Sequence, residues 1–345
     1  MINLSGVKAF LLGGFFLLGS VLTIVFLPPN TEFSHDIFDL EILEQRKASE
    51  VIKDLEADQA IHNQVTFRIA AWILGYYEQV TAPGLYQLKE RWNNWQLIGH
   101  LKSTPPTSVA VVIVPYQMRR NTIKNLCANL DIKYTALRDL LHDPHYLKSW
   151  GPFNKESIYC LLFADTLLIH KDSRAKEVAD RLFRNYLDYW SPPKLERAAS
   201  LGLTPQEVGI LASIVYAETK IGEEMPVIAG LYLNRLQQDM RLQADPTVVY
   251  AAGRPLNRVL KAHKRIRSDY NTYRVEGLPP GPVFTPTQEA LEAVLNAGDH
   301  DYLYFCARHD FSGYHHFSRT LDEHQKAAKQ YQRELNKRKI GFRGP

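Results

Sequence analysis

The sequence predicts an α+β chain with an apolar N-terminal helix, a region of small strand–helix units, and a mainly helical region carrying one short antiparallel β element. Three observations carry this reading. Residues Ala9 to Leu27 contain no charged side chain, and Pro28-Pro29 closes the run. Between Ile37 and Tyr189, short apolar runs alternate with stripes at three- and four-residue steps, the marks of strands and amphipathic helices in turn. After Thr204 the helical period dominates, with start signals at Thr204, Asp245 and Thr320.

Composition bounds the function classes. The 345 residues suffice for about two domains with tails. A net charge of +4 spread over scattered basic residues excludes a nucleic-acid surface. Much of the excess lies in and just past the last helix, at Lys326, Lys329, Arg333 and Lys337 to Lys339, and reads as a solvated face. The three cysteines, Cys127, Cys160 and Cys306, lack Cys-x-x-Cys spacing, so buried free thiols are expected. His309, His315, His316 and His324 lie near Cys306 but match no zinc pattern, and no metal is assigned. A Walker A loop, His-Glu-x-x-His and Gly-x-Ser-x-Gly are all missing.

The run 9–27 has the length of a bilayer span. Lys8 precedes it, and Glu32, Asp36, Asp39 and Glu41 come after it. The positive-inside rule then puts residues 1–8 in the cytoplasm and the remainder outside the inner membrane. No small-x-small site comes after the run, which favours an uncleaved anchor over a signal peptide.

Next comes a region spanning 37–190. A strand leads into a helix whose inner stripe is Ala48, Val51, Ile52 and Leu55, and a second helix covers Gln64 to Tyr77. Gly84 to Leu88 is a short strand, and Asn93 to Leu101 is a helix. Val109 to Val114 reads as a buried strand, Arg119 to Leu130 as a helix, and Tyr159 to Thr166 as another strand. A long helix from Ser173 to Tyr189 is ended by Ser191-Pro-Pro193. These units contain no acid–base cluster. They either bind a polymer or position the second half of the chain.

The third region, 197–335, is organised around Leu211 to Thr219. Thr204 as N-cap, Pro205 at the first helical position and Glu207 form a capping box. Gly222 is the expected C-terminal cap. Val208, Leu211 and Val215 form the buried stripe, and Glu218 continues it. A carboxylate there is desolvated, which raises its pKa toward that of a general acid. Pairing with a structural Arg or Lys is the bland alternative. Further helices run from Glu223, from Asp245-Pro246 to Gly253, and from Thr285-Pro286 to Asn296. The strands Tyr302 to Ala307 and His315 to Ser318 pair across a turn, and Thr320-Leu-Asp-Glu323 opens the terminal helix.

Leu-Ala-Ser-Ile-Val-x-x-Glu-Thr, Asn234-Arg235, Arg-Leu-Gln-x-Asp-Pro-Thr-Val-x-Tyr, Tyr-Asn-Thr-Tyr and Gly-Leu-Pro-Pro-Gly-Pro occur in this order. Tyr302-Leu-Tyr-Phe305, His315-x-Phe317 and Glu323-His324 complete the set. The chain resembles the MltG (YceG-like) family of endolytic murein transglycosylases, tightly from about Thr204 to Gln330 and more loosely from Ile37 to Tyr189. The resemblance implies a single-pass envelope protein with a LysM-like, substrate-positioning first region and a catalytic second one. It also implies cleavage of the MurNAc–GlcNAc β-1,4 bond inside peptidoglycan glycan strands, leaving 1,6-anhydro-MurNAc ends without a metal or organic cofactor. Cell-wall synthases are the protein partners it suggests. Glu218 matches the family's catalytic glutamate, serving first as acid and then as base.

The resemblance also puts Asn234, Arg241, Gln243, Asp245, Tyr270, Asn271 and His315 at the substrate. Several of them have a second reading. Asp245 is an N-cap or a second carboxylate, and Asn271 a turn former or a sugar ligand. Arg241 pairs with a carboxylate of the fold or of the substrate, and His315 donates to substrate or fills a core slot. Gly277 to Pro282 is a rigid wall. Tyr216, Ala244 and Gln325 depart from the family pattern, where an acid, a Ser or Thr, and an Asn are usual. Two rival functions stand beside the transglycosylase. One is a muramidase in which water attacks, with Asp245, Glu223 or Glu224 as second carboxylate. The other is a non-catalytic glycan-binding scaffold of cell-wall synthesis.

Overall fold

The structure, a computed structural model, describes residues 15, 19–33, 36–103, 105, 107–256 and 258–338. It divides into two compact units, Met1–Ala110 with Leu168–Lys171, and Val111–Leu167 with Asp172–Pro345. The sequence suggests a boundary near residue 190. Compactness draws it at Ala110, so most of 111–190 packs with the residues after it.

The first unit begins with helix α1 (19–26) and continues through β1 (Ile37–Ile42), β2 (Arg46–Lys47), α2 (Ala48–Ala57) and α3 (Gln64–Ile73). β3 (Val80–Thr81), β4 (Gly84–Lys89), α4 (Asn94–Leu101) and β5 (Ser108–Ile113) come next. β1 pairs antiparallel with β4, from Ile37 opposite Lys89 to Ile42 opposite Gly84. Strand alternation turns Leu40 and Ile42 inward, onto Val51, Ile52 and Leu55 of α2, Phe67 of α3, and Leu97 and Leu101 of α4. The Asn94 amide donates to the Val25 carbonyl at 2.7 Å, fastening the end of α1 to this core.

Of the expected membrane span, residues 9–14 and 16–18 lie outside the described residues. Among the described residues no single helix is long and apolar enough to cross a membrane. β5 departs from the expected buried strand. Only Val111 and Ile113 are buried, and Val112 is open, because β5 and β6 (Asp165–His170) form a sheet of two strands with one uncovered face.

In the second unit α5 (Arg119–Ala128), α6 (Tyr134–Leu140), α7 (Pro144–Lys148) and α8 (Ala175–Tyr189) precede the part that carries Glu218. The expected strand at Tyr159 is instead a 3-10 turn, Ser157–Leu161, buried at every residue. A short apolar run buried all round has no period to separate strand from helix. Its Cys160 lies under Gly209, where a Cβ would stand 3.4 Å from the sulfur. Ser191-Pro-Pro193 likewise does more than end a helix. The prolines occupy the first positions of α9 (Pro192–Ser200), an element absent from the sequence reading.

α10 (Pro205–Glu218) is the hub, packed against α9, α11 (Met225–Gln237), α12 (Asp245–Ala252), α13 (Gln288–Leu295) and the turn at 157–161. The expected capping box is present: the Glu207 N–H donates to Thr204 Oγ1 at 3.2 Å, and the Thr204 N–H donates to Glu207 Oε2 at 2.8 Å. The apolar stripe proves too narrow a description. All residues from Val208 to Val215 are buried, as in a helix surrounded by its neighbours. Even the one polar group among them is used: Ser213 Oγ donates to the Ile210 carbonyl at 2.7 Å and accepts from the Val283 N–H at 3.0 Å. The helix ends at an extended Thr219, and Gly222 opens a 3-10 turn rather than capping it. Gly253 does stop α12, with φ +66°. α13 starts later than expected, capped by Thr287. β7 (Tyr304–Ala307) and β8 (His315–Ser318) pair antiparallel, and α14 (Leu321–Lys337) begins at the expected Thr320 capping box.

Because Leu211 is fully buried within this packing, Leu211→Ala is expected to destabilise the second unit by about 2–5 kcal/mol. Denaturant titration, combined with hydrogen exchange along residues 205–218, measures this.

Candidate active site

The apolar packing of α10 delivers Glu218, its last residue, to the edge of a cavity of about 380 Å³. Tyr232, on α11, is buried and donates its hydroxyl to Glu218 Oε1 at 2.9 Å. Burial pushes the Glu218 carboxyl up to about 7; the Tyr232 hydrogen bond opposes the rise, and the charge of Asp245 adds to it. The C-terminal end of a helix also disfavours an added negative charge. No cation pairs with Glu218 among the described residues, so the bland ion-pair reading fails on geometry.

Two further acids surround this group in different ways. Asp245 also lines the cavity, but it is the first residue of α12 rather than its cap; Ala244 holds the cap position and supplies no side-chain bond. The carboxylate instead accepts from the Tyr273 hydroxyl at 2.7 Å and lies 3.5 Å from Lys264 Nζ. Lys264 also donates to the Tyr273 hydroxyl at 2.7 Å. On the other side His315, on β8, faces the cavity with its Nδ1 2.9 Å from Glu224 Oε2. Glu224 is buried and also accepts from the His315 N–H at 2.6 Å and from Thr219 Oγ1 at 3.3 Å. These bonds tie β8 to the end of α10, so His315 is held by the fold and still reaches the site.

The remaining sequence candidates separate. Gln243 lines the cavity, exposed, with φ +52°. Asn234 spends its amide on the carbonyls of His300, at 2.6 Å, and Tyr302, at 3.1 Å, and so shapes the approach to β7. Arg241 faces Glu276 at 3.6 Å, the fold-pairing alternative. Tyr270 is buried, packs its ring near Tyr250 and donates to Glu156 Oε2 at 2.7 Å. Asn271 is fully buried, donating to the Lys264 and Ile266 carbonyls and accepting from the Tyr273 N–H at 3.1 Å. It is the turn former that places Tyr273. The wall at Gly277 to Pro282 is close-packed, since a Cβ on Gly281 would meet the Glu156 carbonyl.

The sequence profile of the YceG-like family matches residues 40–330. The chain belongs to the YceG-like family. The endolytic murein transglycosylase of Bacillus subtilis (strain 168) is 42% identical over 121 residues, 35% of this chain and 33% of that protein. That of Streptococcus pneumoniae (strain D39) is 34% identical over 155 residues, 42% of this chain and 27% of that protein. The match therefore spans about a third or less of either relative's length. A crystal structure of a yceG-like protein from Listeria monocytogenes gives a TM-score of 0.54 at 23% identity, over 84% of this chain and 98% of that one. That likeness is one of fold.

Sequence reasoning on this YceG-like chain missed Tyr232 and Tyr273. Tyr232 lies in an apolar helical stretch, and Tyr273 reads only as part of the Tyr-Asn-Thr-Tyr motif. The available signal was chemical: a buried tyrosine hydroxyl needs a partner, and acids nearby in the fold supply one. Arg235, read only as part of a motif, lines the cavity and donates to the carbonyls of Leu303, Arg241 and Leu242.

The raised Glu218 carboxyl has a stability consequence. Its folded value of about 7 exceeds the ordinary 4.5, so between those values the folded chain holds the proton more firmly than the unfolded chain. Stability from this group is therefore lost as pH rises through that window. Glu218→Gln removes the dependence: relative to wild type, the variant is expected to gain stability from pH 4.5 to about 7 and to hold a constant advantage above. Thermal denaturation of both proteins at pH 5 and pH 8 checks the sign.

Proposed function

We propose that this YceG-like chain is an endolytic lytic transglycosylase of peptidoglycan. The observation that carries the reading is Glu218, a carboxyl raised to about 7 at the edge of a cavity, with no cation paired to it among the described residues. In this reading its carboxyl proton goes to the glycosidic oxygen between MurNAc and GlcNAc as the C1–O bond breaks. The C6 hydroxyl oxygen of the same MurNAc then closes on C1 and returns its proton to the carboxylate. The product is a 1,6-anhydro ring plus a free GlcNAc hydroxyl, with no water consumed. One residue serves twice because the nucleophile belongs to the substrate. Tyr232 positions the carboxyl through its hydrogen bond.

Asp245, on the same cavity, favours a second reading, hydrolysis with that carboxylate as base to an attacking water. Its engagement by Tyr273 and Lys264 weighs against it. Mass spectrometry separates the two, since anhydro and reducing ends differ by one water. On purified peptidoglycan the wild type is expected to yield anhydro ends. Glu218→Gln should lower the rate by on the order of 10²–10⁴ or more, because the amide cannot give and retrieve a proton. Near-wild-type cleavage by that variant would sink the assignment.

The same proposal includes the setting. The uncharged run 9–27 would anchor the chain in the inner membrane with the residues after it in the periplasm, near cell-wall synthases. The first unit, with a core of its own, would hold the strand as a LysM-like module. A C-terminal reporter is expected to be active only in the periplasm; activity only in the cytoplasm would reverse the topology.

A further inference from the structure

A second cavity of about 650 Å³ opens in the same unit, lined by Tyr116, Arg120, Lys124 and Phe284 among others. Its size is in the range of ligand pockets. Tyr116 forms its platform. The ring is 48% exposed and lies nearly parallel to Phe284 with centroids 4.6 Å apart. Its backbone has φ +60°, a conformation that strains an aromatic residue and persists only where the surroundings enforce it. They do: the Tyr116 N–H donates to the Thr285 carbonyl and the Thr285 N–H to the Gln117 carbonyl, both at 2.9 Å. Strain held in place to present an exposed ring points to use of that ring.

The second feature is charge. Arg120 and Lys124 stand one turn apart on α5, both exposed, and neither has an ion-pair partner among the described residues. Their neighbour Arg119 pairs with Glu156, so the lack of a partner is particular to the two that face the cavity. The third feature is position. Lys220, two residues past Glu218, sets its Nζ 3.2 Å from the Tyr216 ring centroid and 4.2 Å from that of Tyr116. Lys220 thus lies between the cavity platform and Tyr216, in the last turn of the helix that carries Glu218.

We infer that this cavity is a subsite for a peptide-bearing sugar of the glycan, with the sugar ring on Tyr116 and a stem-peptide carboxylate held by Arg120 and Lys124. The inference rests on the proposed peptidoglycan reading and adds a selectivity to it: strands that keep their peptides are held in preference to bare ones. Two exposed charge pairs support a preference of about three- to tenfold, weakened by salt.

Binding to the full-length Glu218→Gln chain in detergent tests this without turnover. Two soluble glycan fragments of equal length are titrated, one carrying stem peptides and one stripped of them by an amidase, with the lactyl carboxyl that this frees capped as its methylamide. The peptide-bearing fragment is expected to bind about three- to tenfold tighter. Adding Arg120→Ala and Lys124→Ala, both surface changes, is expected to bring the ratio to about one while leaving the stripped fragment's affinity unchanged. Equal affinities in the parent, no binding of the peptide-bearing fragment, or a preference that survives the double change would each overturn the inference. If the wild type releases no anhydro ends, yet the double change still abolishes the preference, the chemistry fails and the subsite stands.

Discussion

A carboxyl at the end of a helix buried on all sides is the constraint on which the second unit turns. α10 cannot shift without opening contacts to α9, α11, α12 and α13 together, so the position of Glu218 is set by the whole core. Several kinds of force act on its proton. Desolvation and the charge of Asp245 hold it on, and the Tyr232 hydroxyl, by stabilising the ionised form, works against them. The balance lies near neutrality, where a group can both give and take a proton. Remote parts serve the same end. Ser213 pins Val283 beside the proline loop, and Glu224 joins β8 to the turn after α10, so the loop and the strand are referenced to one helix.

What the sequence shows clearly is what short-range physics encodes. The Thr204 and Thr320 capping boxes, the stop at Gly253 and the β7–β8 pairing all depend on residues within a few positions of one another, and all are present. Glu218 is legible because it ends an apolar series. Misreadings fall where burial erases the period. Ser157–Leu161 is enclosed on every side, so its apolar run does not distinguish a strand from a 3-10 turn. The proline pair at 192–193 looks like a break but serves as a helix start, and the grouping of residues 172–190 with those after them is a long-range fact. Tyr232 is hidden for the same reason. Nothing local distinguishes a core ring from one whose hydroxyl meets an acid.

The polar candidates show how a motif mixes two kinds of residue. Asn234 and Asn271 both spend their amide hydrogens on backbone carbonyls, and Asn271 also accepts from the Tyr273 N–H, which fixes the path into β7 and the position of Tyr273. Such residues are as necessary to the cavity as those lining it, yet their amides have no donor left for a ligand. Gln243, Asp245 and His315 retain a face on the cavity. The distinction is one of donor and acceptor accounting, and only coordinates supply it.

The two cavity acids then divide by environment rather than by type. Asp245 has a tyrosine hydroxyl and a lysine beside it. Glu218 has a single hydroxyl beside it and is desolvated, which favours the neutral form. The charge on the first raises the second further. A desolvated carboxyl with a charge nearby keeps its proton near neutral pH, which is what the proposed role of Glu218 needs. Tyr273 and Lys264, by engaging Asp245, leave Glu218 as the carboxyl of this cavity with no cation beside it among the described residues.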